Sequence, residues 1–185
     1  MTSIITPVGT AQYPWLNNPD TKWHELGEYK VNLILDATDA EAVIEAIDQE
    51  LKAVAAKNKA KKRAPLPFTE ELGDNGEPTG RYIFKCKSRN RMNKKGELWD
   101  RKPILVDAQG NKTDVSIGGG SKLRLKLELY GWANSALGAG VSLQIKAVQI
   151  IELEEFVKKE FDSIDGGFED DGSEARGTQT EDALF

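Results

Sequence analysis

The chain has 185 residues, 39% hydrophobic and 30% charged. That is apolar material enough for one domain with an appendage, but no apolar run approaches the roughly 20 residues of a membrane span. The net charge of −5 is uneven: residues 160–185 hold nine acidic residues and one basic (−8), residues 1–159 hold 24 basic and 21 acidic (+3). This asymmetry points equally to nucleic-acid contact and to an acidic solubilising tail on an ordinary domain.

The N-terminal MTSIITPVGTAQYP has neither the basic start nor the apolar stretch of a signal peptide. One cysteine, Cys86, excludes an internal disulfide, as suits a reducing compartment. YPWLNNPDTKWHE reads as loop-like, with Trp15 and Trp23 placed to cap a core or to stack on bases. GEYKVNLILD alternates, with Tyr29, Val31, Leu33 and Leu35 on one face and Lys30 and Asn32 on the other, which predicts a half-buried strand. A helix over about 39–62 follows. Ala40, Val43, Ile44, Ile47, Leu51, Val54 and Ala55 share one face, and Thr38 with Glu41 fits a capping box. Lys57, Lys59, Lys61, Lys62 and Arg63 complement the negative helix end, and Pro65 and Pro67 stop it.

GDNGEPTG marks a turn before a strand, RYIFKCKSRNRM. Its Tyr82, Phe84 and Cys86 face the core, and Arg81, Ile83, Lys85, Lys87, Arg89 and Arg91 face away. A short apolar run, ILV, and a turn at DAQGN come next. Two long strands close the domain. In SKLRLKLELYGW, the leucines 123, 125, 127 and 129 face inward, and Arg124, Lys126, Glu128 and Tyr130 outward. In VSLQIKAVQIIEL, the alternation breaks near Ala147–Val148, as at a bulge. Five to six long strands with a single inserted helix predict a mainly β protein. A Greek-key barrel of the oligonucleotide-binding type (OB-fold) over residues 1–159, followed by a disordered acidic tail over 160–185, is the expected architecture.

IGGGSK has the wrong order and spacing for a phosphate loop, and a strand follows it where a helix is required, so its glycines read as a bend. His24 is the only histidine, which leaves no His/Cys zinc set and no Cys–His nucleophile pair. No enzyme, cofactor or metal signature emerges. The positive face carries more weight: residues 81–126 hold 13 basic and four acidic residues, a net +9. Lys30, Lys85, Lys87, Arg89, Arg91, Lys122, Arg124 and Lys126 are the candidate phosphate contacts. Tyr130, exposed by parity beside two cations, is the best candidate for stacking on a base, with Trp132 and Trp15 as further candidates. Lysines along a backbone and aromatic rings under unstacked bases are what single-stranded nucleic acid requires. An RNA-binding regulator on the same barrel and a structural or assembly protein are the alternatives.

VDAQGNKTDVSIGGGSKLRLKLELYGWANSALGAGVSLQIKAVQIIEL (106–153) resembles the single-stranded DNA-binding proteins of short-tailed, T-seven-type phages. The shared features are the Val-Asp-x-x-Gly turn, Ile-Gly-Gly-Gly-Ser-Lys-Leu, Tyr-x-Trp before an Asn-containing loop, and the Gly-Val-x-Leu-Gln strand. VGTAQYPWLNNPD and EYKVNLILD are similar to the family's N-terminal strands. The resemblance implies an OB-fold that coats single-stranded DNA with little sequence preference in phage replication and recombination. Strand annealing is an open extension of that role. It further implies a homodimer in the cytoplasm of the infected bacterium, with no enzymatic activity and no membrane association. Phage DNA polymerase and helicase–primase are then the partners of the acidic C-terminus, through Glu181, Asp182, Leu184 and Phe185. By position the family's stacking tyrosine falls on Tyr130, its neighbouring tryptophan on Trp132 and its terminal phenylalanine on Phe185. The family's arginine before the YKV strand has no counterpart, since Glu25, Leu26, Gly27 and Glu28 occupy that region.

Overall fold

A computed structural model describes residues 2–155 of the chain. Ten strands and one helix follow in the order β1 (Thr2–Ile5), β2 (Gly9–Asp20), β3 (Glu28–Asp36), α1 (Ala37–Asn58), β4 (Phe68–Leu72), β5 (Pro78–Arg89), β6 (Arg91–Met92), β7 (Leu98–Trp99), β8 (Ile104–Val106), β9 (Lys122–Asn134) and β10 (Gly138–Glu152). Five of the strands close on themselves. β2 pairs β3, β3 pairs β5, β5 meets β10 in parallel, β10 pairs β9, and β9 returns to β2. Numbered along the chain, that order is 1-2-3-5-4-1, the closed Greek-key path of an OB barrel. The remaining strands are additions: β1 along β9, β4 along β5, β8 along β10, and a separate β6–β7 hairpin.

The alternation of β3, β5, β9 and β10 drives closure. Leu33, Leu123, Leu125, Leu127, Leu129, Leu143 and Phe84 are fully buried, and each full burial of such a side chain contributes about 1.5–3 kcal/mol. Where β5 and β10 diverge, the Ser88 hydroxyl donates to the Ile145 carbonyl (3.0 Å) and accepts from the Ile145 N–H (2.9 Å). The seam is thus sealed by a side chain in place of a ladder. The bulge expected near Ala147 is present, as a register shift between Ile145 and Ala147 against β9.

α1 lays Ala40, Val43, Ile47 and Leu51 on the barrel, with Ile44, Val54 and Ala55 at the margin, the face read from the sequence. Its ends differ from expectation. The Thr38–Glu41 capping box does not form: Asp36, still paired with Arg81 in the β3–β5 ladder, is the N-cap, so the helix begins at Ala37. It ends at Asn58, before the prolines, because Lys59 turns into the left-handed region (φ 51°) and its N–H caps Ala55 and Ala56. The following basic segment straps onto β10: Ala139 donates to the Lys62 carbonyl (3.0 Å) and Ala64 to that of Ala139 (2.8 Å).

The largest departure is at residues 13–20. This stretch, expected as loop, is the second half of β2. Its ladder with β3 slips between Gln12 and Trp15 and again between Trp15 and Asp20. Pro14 and Pro19 lie within these interruptions, where their missing N–H groups cost no ladder bond. IGGGSK is a bend, as expected: Gly120 (φ 91°) donates to the Ala11 carbonyl at 2.8 Å. The acidic tail, including Glu181, Asp182, Leu184 and Phe185, lies outside the described residues.

Candidate nucleic-acid interface

The outer face of β2, β3 and β5 gathers residues far apart in sequence. Cross-strand pairing sets Trp15 opposite Lys30 and Lys30 opposite Lys87, one transverse row of an aromatic and two cations. Beside it run Gln12, Asn32 and Lys85, and beyond it Glu28 and Arg89. Phe84, Cys86 and Ser88 point into the barrel, so Lys85, Lys87 and Arg89 are turned out together. In OB barrels the face of the second and third strands and the loops beside it carry oligonucleotides. Here those strands are β3 and β5.

The cations of this face fall into two kinds. The Lys30 ammonium donates to Asp20 Oδ2 at 2.5 Å, and this bond, with the Lys22 backbone N–H on Oδ1 (2.9 Å), holds the Asp20 carboxyl below its usual range. Arg89 is bound by Glu28, on which His24 also converges at 3.5 Å. Lys85 and Lys87 make no ion pair among the described residues.

β9 carries the other predicted group. Lys122 donates to Thr10 Oγ1 (2.6 Å) across the β2 junction, and Arg124 reaches the Thr6 carbonyl (3.3 Å). Lys126 is exposed, opposite Ile5 of β1. Tyr130, 40% exposed, faces Ser142 of β10. Trp132 is more firmly held. Its indole N–H donates to Ser142 Oγ at 3.0 Å, and its ring lies so close over Gly140 that an added Cβ would stand 2.4 Å from it. Glu128 lies between Lys126 and Tyr130, and a hydrogen bond from Lys146 (2.6 Å) lowers its pKa. The phosphate candidates thus form two clusters, one on β3–β5 and one on β9, with Arg91 apart from both.

Arg91 does not continue the β5 row. It begins the β6–β7 hairpin, opposite Trp99. This hairpin and its flanks bring together Arg91, Lys94, Lys95, Arg101 and Lys102 with the exposed Met92, Leu98 and Trp99. Arg101 lies over the Trp99 ring (5.2 Å) and donates to Gln144 Oε1 (2.6 Å), tying the hairpin base to the outer side of β10. Its guanidinium pKa is lowered by burial and by nearby Arg91. In the β2–β3 connection, Lys22 stands over Trp23 at 5.3 Å. Two-residue strands leave no periodicity, so the hairpin is visible in sequence only as the turn NKKGE. Tyr13 also escaped sequence reading. It is 71% exposed, with φ 51°, at the first slip of the β2 ladder. A left-handed backbone at a bulky residue costs on the order of 1–3 kcal/mol.

Among the described residues no group of three His, Cys, Asp or Glu is placed to hold a metal, and no helix is long and apolar enough to cross a membrane. Cys86 is buried, which raises its thiol pKa far from reactivity. What the surface offers is paired and unpaired cations with aromatic rings between them.

A family model described as the single-stranded DNA-binding protein of bacteriophage T7 matches residues 8–153. The single-stranded DNA-binding protein of Escherichia phage T7 is 33% identical over 198 residues, spanning 91% of this chain and 79% of the relative. That of Enterobacteria phage T3 is 34% identical over 175 residues, spanning 80% and 75%. The crystal structure of the phage T7 protein aligns with a TM-score of 0.69 at 28% identity, covering 89% of this chain and 99% of that one. The single-stranded DNA-binding protein of bacteriophage Enc34, solved in complex with single-stranded DNA, shares the fold, with a TM-score of 0.61 at 15% identity over 83% of this chain and 88% of that one.

Proposed function

This chain belongs to the family of the bacteriophage T7 single-stranded DNA-binding protein, and on that premise we propose that it coats single-stranded DNA, without sequence preference, in phage DNA replication and recombination. The observation that carries the reading is the transverse row Trp15–Lys30–Lys87 with Lys85 and Arg89 beside it, on the face where OB barrels take oligonucleotides. Phosphates track the lysines and arginines of this row and of β9 (Lys30, Lys85, Lys87, Arg89, Lys122, Arg124 and Lys126), with Arg91 reaching from the hairpin. Bases stack on Trp15 and Tyr130, with Trp132 braced beside Tyr130. Stacking is sequence-tolerant because every base has a π-face. Titration with oligo-dT and with a duplex of the same length over a salt series tests this. Tighter binding of the single strand, weakening as salt rises, is expected; equal affinity for the duplex, or binding indifferent to salt, refutes it.

The protein acts by binding, in the infected host cell, as a homodimer. Its acidic C-terminus, through Glu181, Asp182, Leu184 and Phe185, engages the phage DNA polymerase and helicase–primase. The −8 segment 160–185 and the +9 stretch 81–126 belong to one chain, and linkage within one chain gives an effective concentration of roughly mM order. The segment therefore competes with DNA for the cations, and DNA binding releases it for partners. Removal of residues 160–185 is expected to tighten single-stranded DNA binding and to abolish association with polymerase or helicase. Unchanged affinity and unchanged association leave the segment a solubilising tail.

A further inference from the structure

One cleft on the barrel has an apolar lining and two exposed aromatic walls. It measures about 360 Å³ and lies between Tyr13, Pro14 and Trp15 of β2 and the segment from Ser116 to Gly119. The extra residue in the β2 ladder explains how it forms. Between Gln12 and Trp15 the chain advances three residues while β3 advances two, from Asn32 to Lys30. Tyr13 is the residue that absorbs the difference, in the left-handed region, so both rings stand outside the barrel, Tyr13 71% and Trp15 46% exposed. The opposite wall is fixed. Asn17 donates to the Val115 carbonyl (2.6 Å) and accepts from the Ile117 N–H (3.0 Å), which staples the 115–117 segment to β2. One cation stands beside the cleft: Lys30 is opposite Trp15 across the β2–β3 ladder.

We infer that this cleft receives one unstacked base of the bound strand, with Tyr13 and Trp15 as its gripping walls. A largely apolar slot with two ring faces, opening beside the Lys30–Lys87 row, complements a nucleotide: a flat aromatic base whose backbone is anionic. The Asn17 amide is spent on the 115–117 backbone, so what the slot offers a base is mainly ring and apolar surface. The strained backbone of Tyr13, whose ring packs on nothing in the core, is retained for contact with a ligand and not for the fold. The inference rests on the single-stranded DNA reading and extends the stacking surface to a residue outside the family-derived set.

The test compares the full-length protein with Tyr13→Gly on two oligonucleotides of equal length, oligo-dT and an abasic analogue that keeps the phosphates. Glycine accepts φ 51°, so the melting temperature should hold or rise. Affinity for oligo-dT should fall by about 5- to 150-fold, the loss of one stack, with no comparable fall on the abasic strand, and Tyr13→Phe should bind as wild type. Ser116→Phe, which fills the slot from its exposed rim, should reproduce the selective loss. A loss of equal size on both strands, or none on oligo-dT, overturns the inference while leaving DNA binding in place. A wild-type protein that binds neither strand overturns the parent reading and the inference with it.

Discussion

Removing the charges of Lys85 and Lys87 together should flatten the salt dependence of DNA binding more than removing Lys30 and Arg89. All four project from one face, but Lys30 and Arg89 are engaged by Asp20 and Glu28, while Lys85 and Lys87 have no ion pair among the described residues. A phosphate arriving at Lys30 must replace a carboxylate already in place. At Lys85 or Lys87 it replaces only loosely held counterions, and their release is what the salt slope reports. For single strands each neutralised phosphate contributes about 0.7 to the fall of log affinity with log salt, so the double alanine variant should lose about 1.4. Between about 50 and 200 mM salt that difference widens the gap between variant and wild type roughly sevenfold at the lower concentration. Asp20→Asn works in the opposite sense: it frees Lys30 and should steepen the slope by up to about 0.7.

Fluorescence anisotropy of a labelled oligo-dT at five or more salt concentrations measures all three slopes, with thermal melts confirming the fold. Parallel slopes for wild type and the double variant would refute the assignment of Lys85 and Lys87 to phosphates. Weaker binding by a fully folded Asp20→Asn would refute the picture of Asp20 as a competitor for Lys30.

Two further outcomes follow from other parts of the molecule. Tyr130→Ala should weaken binding to poly-dT by about 1–3 kcal/mol, one stack, with an unchanged melting temperature; unaltered affinity removes Tyr130 from the interface. Tyr29, buried beside Asp100, has its phenol pKa pushed up to about 12 by burial first and by the carboxylate second. Its folded-state pKa is the higher one, so its contribution is whole below the ordinary tyrosine value of about 10 and disappears as pH rises towards about 12. Chemical unfolding midpoints between those values should fall for wild type and fall less for Tyr29→Phe; equal slopes would place the ionisation elsewhere.

The parts of the fold written in strict alternation were legible. In β9 and β10, leucine or isoleucine inside and charge outside mark both faces, and the phase break at Ala147 marks the bulge. The helix stripe from Ala40 to Leu51 was equally plain. What stayed hidden depended on residues whose partners are distant. Two prolines and the extra residue Tyr13 erased the alternation of β2, so a strand read as loop and its cleft went unseen. Thr38 offered a local cap, but the Asp36–Arg81 ladder pair had already set the start of the helix. The row of cations could be found by parity. That Lys30 and Arg89 were already engaged could not, because Asp20 meets Lys30 only through the looped-out half of β2, and Glu28 meets Arg89 only across the β3–β5 ladder.

That engagement bears on how such a surface can hold DNA firmly yet let it go. The Asp20 and Glu28 carboxylates are buried, but Lys30 and Arg89 stay partly exposed, so the two pairs leave both cations within reach of a phosphate. They lower the net gain from each phosphate that docks on Lys30 or Arg89, since the displaced carboxylate must be resolvated. If Lys85 and Lys87 take phosphates as proposed, they do so with no competing carboxylate among the described residues, and Lys30 and Arg89 respond to the strand at a smaller net gain. A face with four unpaired cations would bind more tightly and release more slowly, because differences in affinity among variants of one interface lie mostly in the off-rate. On that proposal Asp20 and Glu28 belong to the binding surface, and their effect falls on exchange of the strand more than on its capture.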